Sequence, residues 1–144
     1  MIIVVLDANV LAPGFLGTTS ISARLIEAWR LQRFDLVVSE HLLAELSRTF
    51  TDPYFRARMG PDQATRILRL LRRRALLTDL TIMVTGVAIQ PKDDLVIATA
   101  LSGGADFIAT WDKQLLKLVS HQGVIILHPG DLLDHLRRDV QAPR

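Results

Sequence analysis

The chain has 144 residues, which is enough for one ordinary domain that buries a core without disulfides or a structural metal. Its hydrophobic content of 49% fits strands that are covered on both faces, and the absence of cysteine excludes thiolate nucleophiles and Cys-ligated zinc. The net charge of +2 is too small to indicate a polyanionic partner by itself, and no apolar run is long enough to span a bilayer, so we expect a cytoplasmic protein with no membrane contact.

The first part of the chain has the pattern strand, helix, strand. Residues 2–6 form a continuous run of branched apolar side chains that ends at Asp7, which predicts a buried strand followed by an acid. A helix capped by Ser20 or Ser22 comes next, and a second buried strand occupies 34–38. This order is typical of a βαβ unit.

The middle of the chain is predominantly helical. A helix over about 40–50 ends at an Asp-Pro turn, and another helix, opened by Pro61, runs through an arginine-rich segment to Leu77. We expect a short edge strand at 81–84.

Strands and helices alternate again in the last third of the chain. We expect a helix over 92–102 that is stopped by a Gly-Gly pair, a strand over 107–110, a helix over 114–119, a strand over 124–127 and a last helix over 130–138. The alternation predicts an α/β fold, a three-layer α/β/α sandwich with a central, mostly parallel sheet. It places a single domain at 1–138 and a short C-terminal tail at 139–144.

Four acidic residues are candidates for one site, and they are Asp7, Glu45, Asp93 and Asp112. Asp7 and Asp112 each follow a predicted strand closely, and ligands of parallel sheets bind outside the carboxyl ends of the strands, so we expect both at one edge. Each acid also has a structural interpretation. Asp7 fits a turn residue, and Glu45 fits a solvated helix position. Asp93 and Asp112 fit the first turn or cap of a helix.

The electrostatics favour a shared role for these acids. Two ionised carboxylates about 4 Å apart repel by ~4 kcal/mol at an effective dielectric constant near 20, so a converged cluster needs a compensating cation. Oxygen ligands without cysteine or a histidine pair favour Mg²⁺ or Mn²⁺, which commonly bind substrate phosphates as well. The pattern therefore indicates phosphoryl-transfer chemistry.

Four blocks of sequence, taken in order, carry a family resemblance. They are VLDANVL at 5–11, LVVSEHLLAEL at 36–46, PKDDLVIATAL at 91–101 and GADFIATWDKQLL at 104–116. Together they resemble the PIN-domain family over nearly the whole chain, and most of all its group of toxin components of toxin–antitoxin systems.

The resemblance implies an activity and a set of site residues. It implies an endoribonuclease that cleaves single-stranded RNA with Mg²⁺ or Mn²⁺, and it places the four acids named above in the metal and catalytic site. Asn9 and Thr110 would be polar support, and Asp94 is the alternative to Asp93 as the third ligand. A cognate antitoxin and a homodimer are implied in the same way.

An RNA substrate would need positive charge or aromatic surface near the acids. The candidates are Arg24, Arg66, Arg69, Arg73, Lys113 and Trp111, the last as a base-stacking ring. An arginine run on a helix is, however, more often a solvated face.

Two other functions compete with a ribonuclease. One is a PIN module that binds RNA or a protein without cleaving. The other is a Mg²⁺-dependent phosphatase of the haloacid-dehalogenase type, which has a second acid two residues after the first. Here that position is Asn9, which cannot exchange a proton, so the phosphatase is the weaker alternative.

Overall fold

A computed structural model of the chain describes residues 1–141, which form one six-stranded sheet flanked by helices. The strands are β1 (Ile3–Leu6), β2 (Asp35–Val38), β3 (Leu76–Leu77), β4 (Phe107–Ala109), β5 (Ser120–His121) and β6 (Val124–Leu127). The helices are α1 (Ala8–Gly14), α2 (Ile21–Arg30), α3 (Glu40–Phe50), α4 (Pro53–Arg56), α5 (Pro61–Arg74), α6 (Pro91–Ser102), α7 (Lys113–Leu116) and α8 (Pro129–Gln141).

The strands lie in the order β3-β2-β1-β4-β6-β5, and all neighbours are parallel except β5 and β6. In the register, Val4 is opposite Leu36 of β2, and Leu6 is opposite Ala109 of β4. The predicted three-layer α/β/α class with a mostly parallel sheet is confirmed. The chain leaves β1 toward β2 on one side and reaches β4 on the other, so the strand order reverses beside β1.

The core lies on both faces of the central strands. Val4, Val5 and Leu6 are completely buried, as expected for a strand of a parallel sheet covered by helices on both sides. Burying a side chain of this size contributes about 1.5 to 3 kcal/mol each. Strand β1 at the centre of the sheet is therefore held firmly, and it fixes the backbone position of Asp7, which follows it.

The predicted edge strand at 81–84 is wrong. The backbone N–H groups of Thr81 and Ile82 both donate to Ser102 Oγ at 3.0 Å, so a side chain of α6 satisfies them instead of a neighbouring strand. The edge strand is β3, because α5 ends at Arg74 rather than continuing to Leu77 and the next residues pair with Val37 and Val38 of β2.

Besides β3, three further short elements were not predicted, and they are α1, α4 and β5. Helix α1 begins directly after Asp7 and contains Pro13, a residue that normally signals the end of a helix. At the other end of the chain, α8 continues to Gln141, into the segment expected to be a tail, and 142–144 lie outside the described residues. Within residues 1–141, no helix has the length and apolarity needed to cross a bilayer.

Candidate active site

The carboxyl ends of the central strands place three polar residues side by side. Asp7 follows β1, Thr110 follows β4 and Ser39 follows β2, so all three lie at one edge of the parallel sheet. This edge lies where the strand order reverses, the position at which α/β sheets commonly bind ligands.

A cavity of about 150 Å³ opens at this edge and brings the four predicted acids together. Its lining consists of Asp7, Ala8, Asn9, Glu45, Thr49, Lys92, Asp93, Val96 and Asp112. We call this cavity the acidic pocket. The acids reach it from the ends of β1 and β4, from the middle of α3 and from the first turn of α6, four segments that are far apart in the sequence.

Larger cavities lie elsewhere and have different chemistry. One of about 530 Å³ has a single acid, Asp35, in its lining, and those of about 460 Å³ and 300 Å³ have none. Another of about 530 Å³ has two acids, Asp106 and Asp139, so none of these cavities brings four carboxylates together as the acidic pocket does.

The hydroxyl of Thr110 organises the wall of the pocket that belongs to the sheet. It donates to Asp7 Oδ2 at 2.9 Å and accepts from Asn9 Nδ2 at 3.2 Å and from the backbone N–H of Asp112 at 3.1 Å. One donated and two accepted bonds use the full capacity of a hydroxyl, and Thr110 is completely buried. The hydroxyl of Thr110 therefore links the side chains of Asp7 and Asn9.

Asp7 and Asp112 are also helix caps, as the structural interpretation of Asp112 predicts. Asp7 Oδ1 accepts from the backbone N–H of Ala8 at 2.7 Å, and Asp112 Oδ1 accepts from that of Gln114 at 2.8 Å. Each carboxylate thus has one oxygen held by the start of a helix while its residue lines the pocket.

Trp111 is anchored beside the pocket rather than in its lining. Its backbone N–H donates to Asn9 Oδ1 at 3.1 Å, and its indole N–H donates to Ser22 Oγ of α2 at the same distance. The ring also packs edge-on against His128 at 4.8 Å. Through these contacts, Trp111 holds the segment between Thr110 and Asp112 in place.

The neighbours Asp93 and Asp94 have different surroundings. The carboxylate of Asp94 accepts from the backbone N–H groups of Gly86, Val87 and Ala88 at 3.0, 3.2 and 2.7 Å. Asp93 lines the acidic pocket, and Asp94 does not. Successive residues of a helix point about 100° apart, so only one of the two can face the pocket.

Glu45 reaches the pocket from α3. Its carboxylate lies 3.5 Å from the guanidinium of Arg48, whose side chain is 64% exposed, and such a pair one turn apart contributes only ~0.5 kcal/mol. The pairing therefore leaves Glu45 able to turn toward a cation.

The pocket carries more negative charge than its surroundings neutralise. Burial raises the pKa of Asp93 to about 6, and the charges of Asp112 and Asp7 add to the rise. Burial also raises the pKa of Asp7, although the hydrogen bond from Thr110 opposes this. The charge of Lys92 lowers the pKa of both acids.

The residues match a hard divalent cation in donor type and in charge. Carboxylate oxygens and a deficit of positive charge are what Mg²⁺ or Mn²⁺ would compensate. Their spacing does not match a metal site, because no three acidic or histidine side chains in residues 1–141 lie close enough together to hold a metal ion as they are. Holding one would require the side chains of the pocket to turn inward.

The basic residues expected to bind RNA lie outside the pocket. Arg24, Arg66, Arg69, Arg73 and Lys113 are exposed, and none of them belongs to the pocket lining. Arg72 in the same arginine run forms an ion pair with Glu40. The cation that does line the pocket is Lys92, which was not predicted; its position between Pro91 and Asp93 at a helix start was the available signal.

Comparison with known proteins identifies the family. The model of the PIN domain matches residues 3–114, most of the chain. The chain matches no curated protein sequence. Among solved structures, FitAcB from Neisseria gonorrhoeae is 17% identical with a TM-score of 0.54, and the match covers 88% of this chain and 98% of that one.

Two further solved structures give the same result. VapBC-1 from nontypeable Haemophilus influenzae is 17% identical with a TM-score of 0.56, over 90% of this chain and 99% of that one. A protein from Pyrobaculum aerophilum is 16% identical with a TM-score of 0.54, over 95% and 98%. At these identities the likeness concerns the fold. The family match over most of the chain confirms the resemblance found in the sequence, and the chain belongs to the PIN-domain family.

Proposed function

We propose that the protein is a metal-dependent endoribonuclease that cleaves phosphodiester bonds of single-stranded RNA. Membership in the PIN family supports a nuclease. The observation that carries the proposal is the acidic pocket, where Asp7, Glu45, Asp93 and Asp112 line one small cavity although they come from four separate segments.

The residues of the pocket would have different roles. Asp7, Glu45, Asp93 and Asp112 would hold Mg²⁺ or Mn²⁺, which when bound lowers the pKa of a water molecule and offsets charge on the phosphate. Thr110 and Asn9 would keep Asp7 in place, because the buried hydroxyl of Thr110 is bonded to both. Asp94 would act indirectly by fixing the loop that leads into α6.

The biological setting that fits best is the toxin component of a toxin–antitoxin system. This part of the proposal is supported by the sequence resemblance to toxin components and by the fold shared with FitAcB and VapBC-1. It includes a cognate antitoxin as partner, a homodimer and a cytoplasmic location.

The direct test is cleavage of a labelled single-stranded RNA by the purified protein with Mn²⁺. We expect cleavage that EDTA stops and that Asp7→Asn reduces at least 100-fold, because the substitution removes a ligand charge at the centre of the site. Asp79→Asn is the matched control, since Asp79 is exposed and outside the pocket.

The other outcomes of this test separate the alternatives. RNA binding without cleavage would contradict the nuclease and favour a binding module. Release of phosphate from a small monoester without RNA cleavage would favour a phosphatase.

A further inference from the structure

Lys92 occupies an unusual position for an exposed lysine. It is the second residue of α6, between Pro91 and the buried Asp93, and it lines the acidic pocket. Its backbone is held in place, because Asp94 binds the loop that precedes the helix through three N–H groups. The start of the side chain is therefore fixed, and the residue is exposed to solvent.

The charge of Lys92 is not neutralised by an ion pair within the described residues. Of the described residues, it is the one cation in the pocket lining, and no carboxylate within residues 1–141 lies within 4.0 Å of its ammonium group. Its field nevertheless reaches Asp7 and Asp93. Lys92 thus stands near the acids without being neutralised by any of them.

A polyanion needs such a group in order to approach this pocket. Four carboxylates repel a phosphodiester, and the arginines of α5 do not line the cavity. A lysine ammonium is a compact charge on a flexible stem, and proteins use it to bind phosphate oxygens.

We propose that Lys92 binds a phosphate of the RNA at the acidic pocket and positions it beside the acids. The inference rests on the proposed function and names the residue that receives the substrate. It differs from a counter-ion role, in which Lys92 would only offset the charges of Asp7 and Asp93.

The experiment compares the intact wild-type protein with Lys92→Gln, Lys92→Arg and the control Lys117→Gln. Lys117 is exposed, lies outside the pocket lining and loses the same charge in its variant. Binding of a fluorescent single-stranded oligonucleotide is measured in EDTA, where metal-dependent cleavage is blocked, over a range of salt concentrations. Cleavage is then measured with Mn²⁺.

We expect Lys92→Gln to weaken RNA binding and to reduce the slope of log K against log salt by about 0.7, the value for one phosphate contact on a single strand. Cleavage should fall roughly 10- to 100-fold, as when one hydrogen bond to a charged group is lost. Lys92→Arg should recover most of both, and Lys117→Gln should behave as the wild type.

A counter-ion role predicts the opposite sign. Removing the charge would then leave the RNA salt slope and cleavage unchanged or improved, and either result would overturn the inference. Absence of RNA binding by the wild type in EDTA at low salt would overturn it as well. A wild type that binds RNA through Lys92 but does not cleave would instead contradict the nuclease and leave the phosphate contact intact.

Discussion

The acidic pocket has two walls that are built differently. On the sheet wall, Asp7, Asn9 and Thr110 are joined by hydrogen bonds of 2.9 to 3.2 Å. On the helix wall, Glu45 has a partly exposed pair with Arg48, and the three backbone hydrogen bonds at the start of α6 go to Asp94 rather than to Asp93. One wall is rigid before any ligand arrives, and the other is held mainly by its backbone.

The difference explains why four acids line one cavity without forming a ready metal site. The sheet wall satisfies its polar groups internally, so its geometry is fixed by folding. On the helix wall, Glu45 has only its exposed pair with Arg48 among the described residues, and the charges of Asp7 and Asp112 oppose ionisation of Asp93. We infer that a cation would draw the helix wall toward the sheet wall, and the predictions below test each wall in turn.

The largest effect should come from removing the centre of the sheet wall. Thr110→Val keeps the shape of the side chain but leaves Asp7 Oδ2, Asn9 Nδ2 and the N–H of Asp112 without their partner. We expect a loss of about 3 kcal/mol in the free energy of unfolding, because these groups are buried or partly buried. Urea denaturation measures it, and a loss below about 1 kcal/mol would mean that this wall is not organised by Thr110.

A smaller loss of stability is expected at Asp94, which attaches the start of α6 to the preceding loop. Asp94→Asn places an amide, which has only one acceptor oxygen, opposite the N–H groups of Gly86, Val87 and Ala88. We expect about 1.5 kcal/mol of destabilisation and faster hydrogen exchange of those three amides. Unchanged exchange there would show that Asp94 does not hold the loop.

The charge of the helix wall should make the metal-free protein less stable as the pH rises. Because the pKa of Asp93 is raised to about 6 in the fold, the folded state binds a proton more tightly than the unfolded chain. The stabilising effect of this bound proton is complete below about pH 4 and is lost as the pH rises through about 6.

Asp93→Asn should therefore raise the stability at pH 8 by about 1 kcal/mol, after allowance for solvent screening, and leave it unchanged near pH 4. It should also reduce the rise in Tm that Mn²⁺ produces in the wild type. Equal stability of variant and wild type at pH 8 would show that ionised Asp93 does not destabilise the folded protein.

The smallest change in stability is expected at a control position, Val119, which lies outside both walls. Val119 has a φ of 61°, a left-handed conformation that branched side chains rarely adopt, and it is 65% exposed. Val119→Gly should gain about 0.5 kcal/mol, since relief of strain exceeds the entropy cost of glycine. Unlike Asp93→Asn, it should leave the Mn²⁺ response unchanged, and thermal unfolding with and without the metal checks both points.

The two walls also differ in how far the sequence predicted them. Asp7 and Asp112 follow buried strands whose apolar runs are unambiguous, and parallel pairing then predicts both at one edge, whereas Thr110 was given by the family resemblance. Glu45 and Lys92 lie on helices, where a charged residue is ordinarily solvated, so their place in the pocket depends on how α3 and α6 pack. The family resemblance supplied Glu45, and the one signal for Lys92 was its place beside Asp93 at the start of a helix.

The errors in the fold have a similar origin. The segment 81–84 has apolar residues suited to a strand, but Ser102 binds its backbone from a distant helix, which a local pattern does not reveal. Helix α1 was missed because Pro13 lies inside it. The order of the long elements followed from periodicity, whereas contacts between distant residues set the short ones.

The measurement that tests the central claim most directly is a crystal structure of the protein with MnCl₂, using the anomalous signal of manganese. The account predicts a peak in the acidic pocket, with Asp93 and Glu45 turned toward Asp7 and Asp112. A pocket without manganese, in which Glu45 stays with Arg48 and Asp93 turns to Lys92, would contradict it.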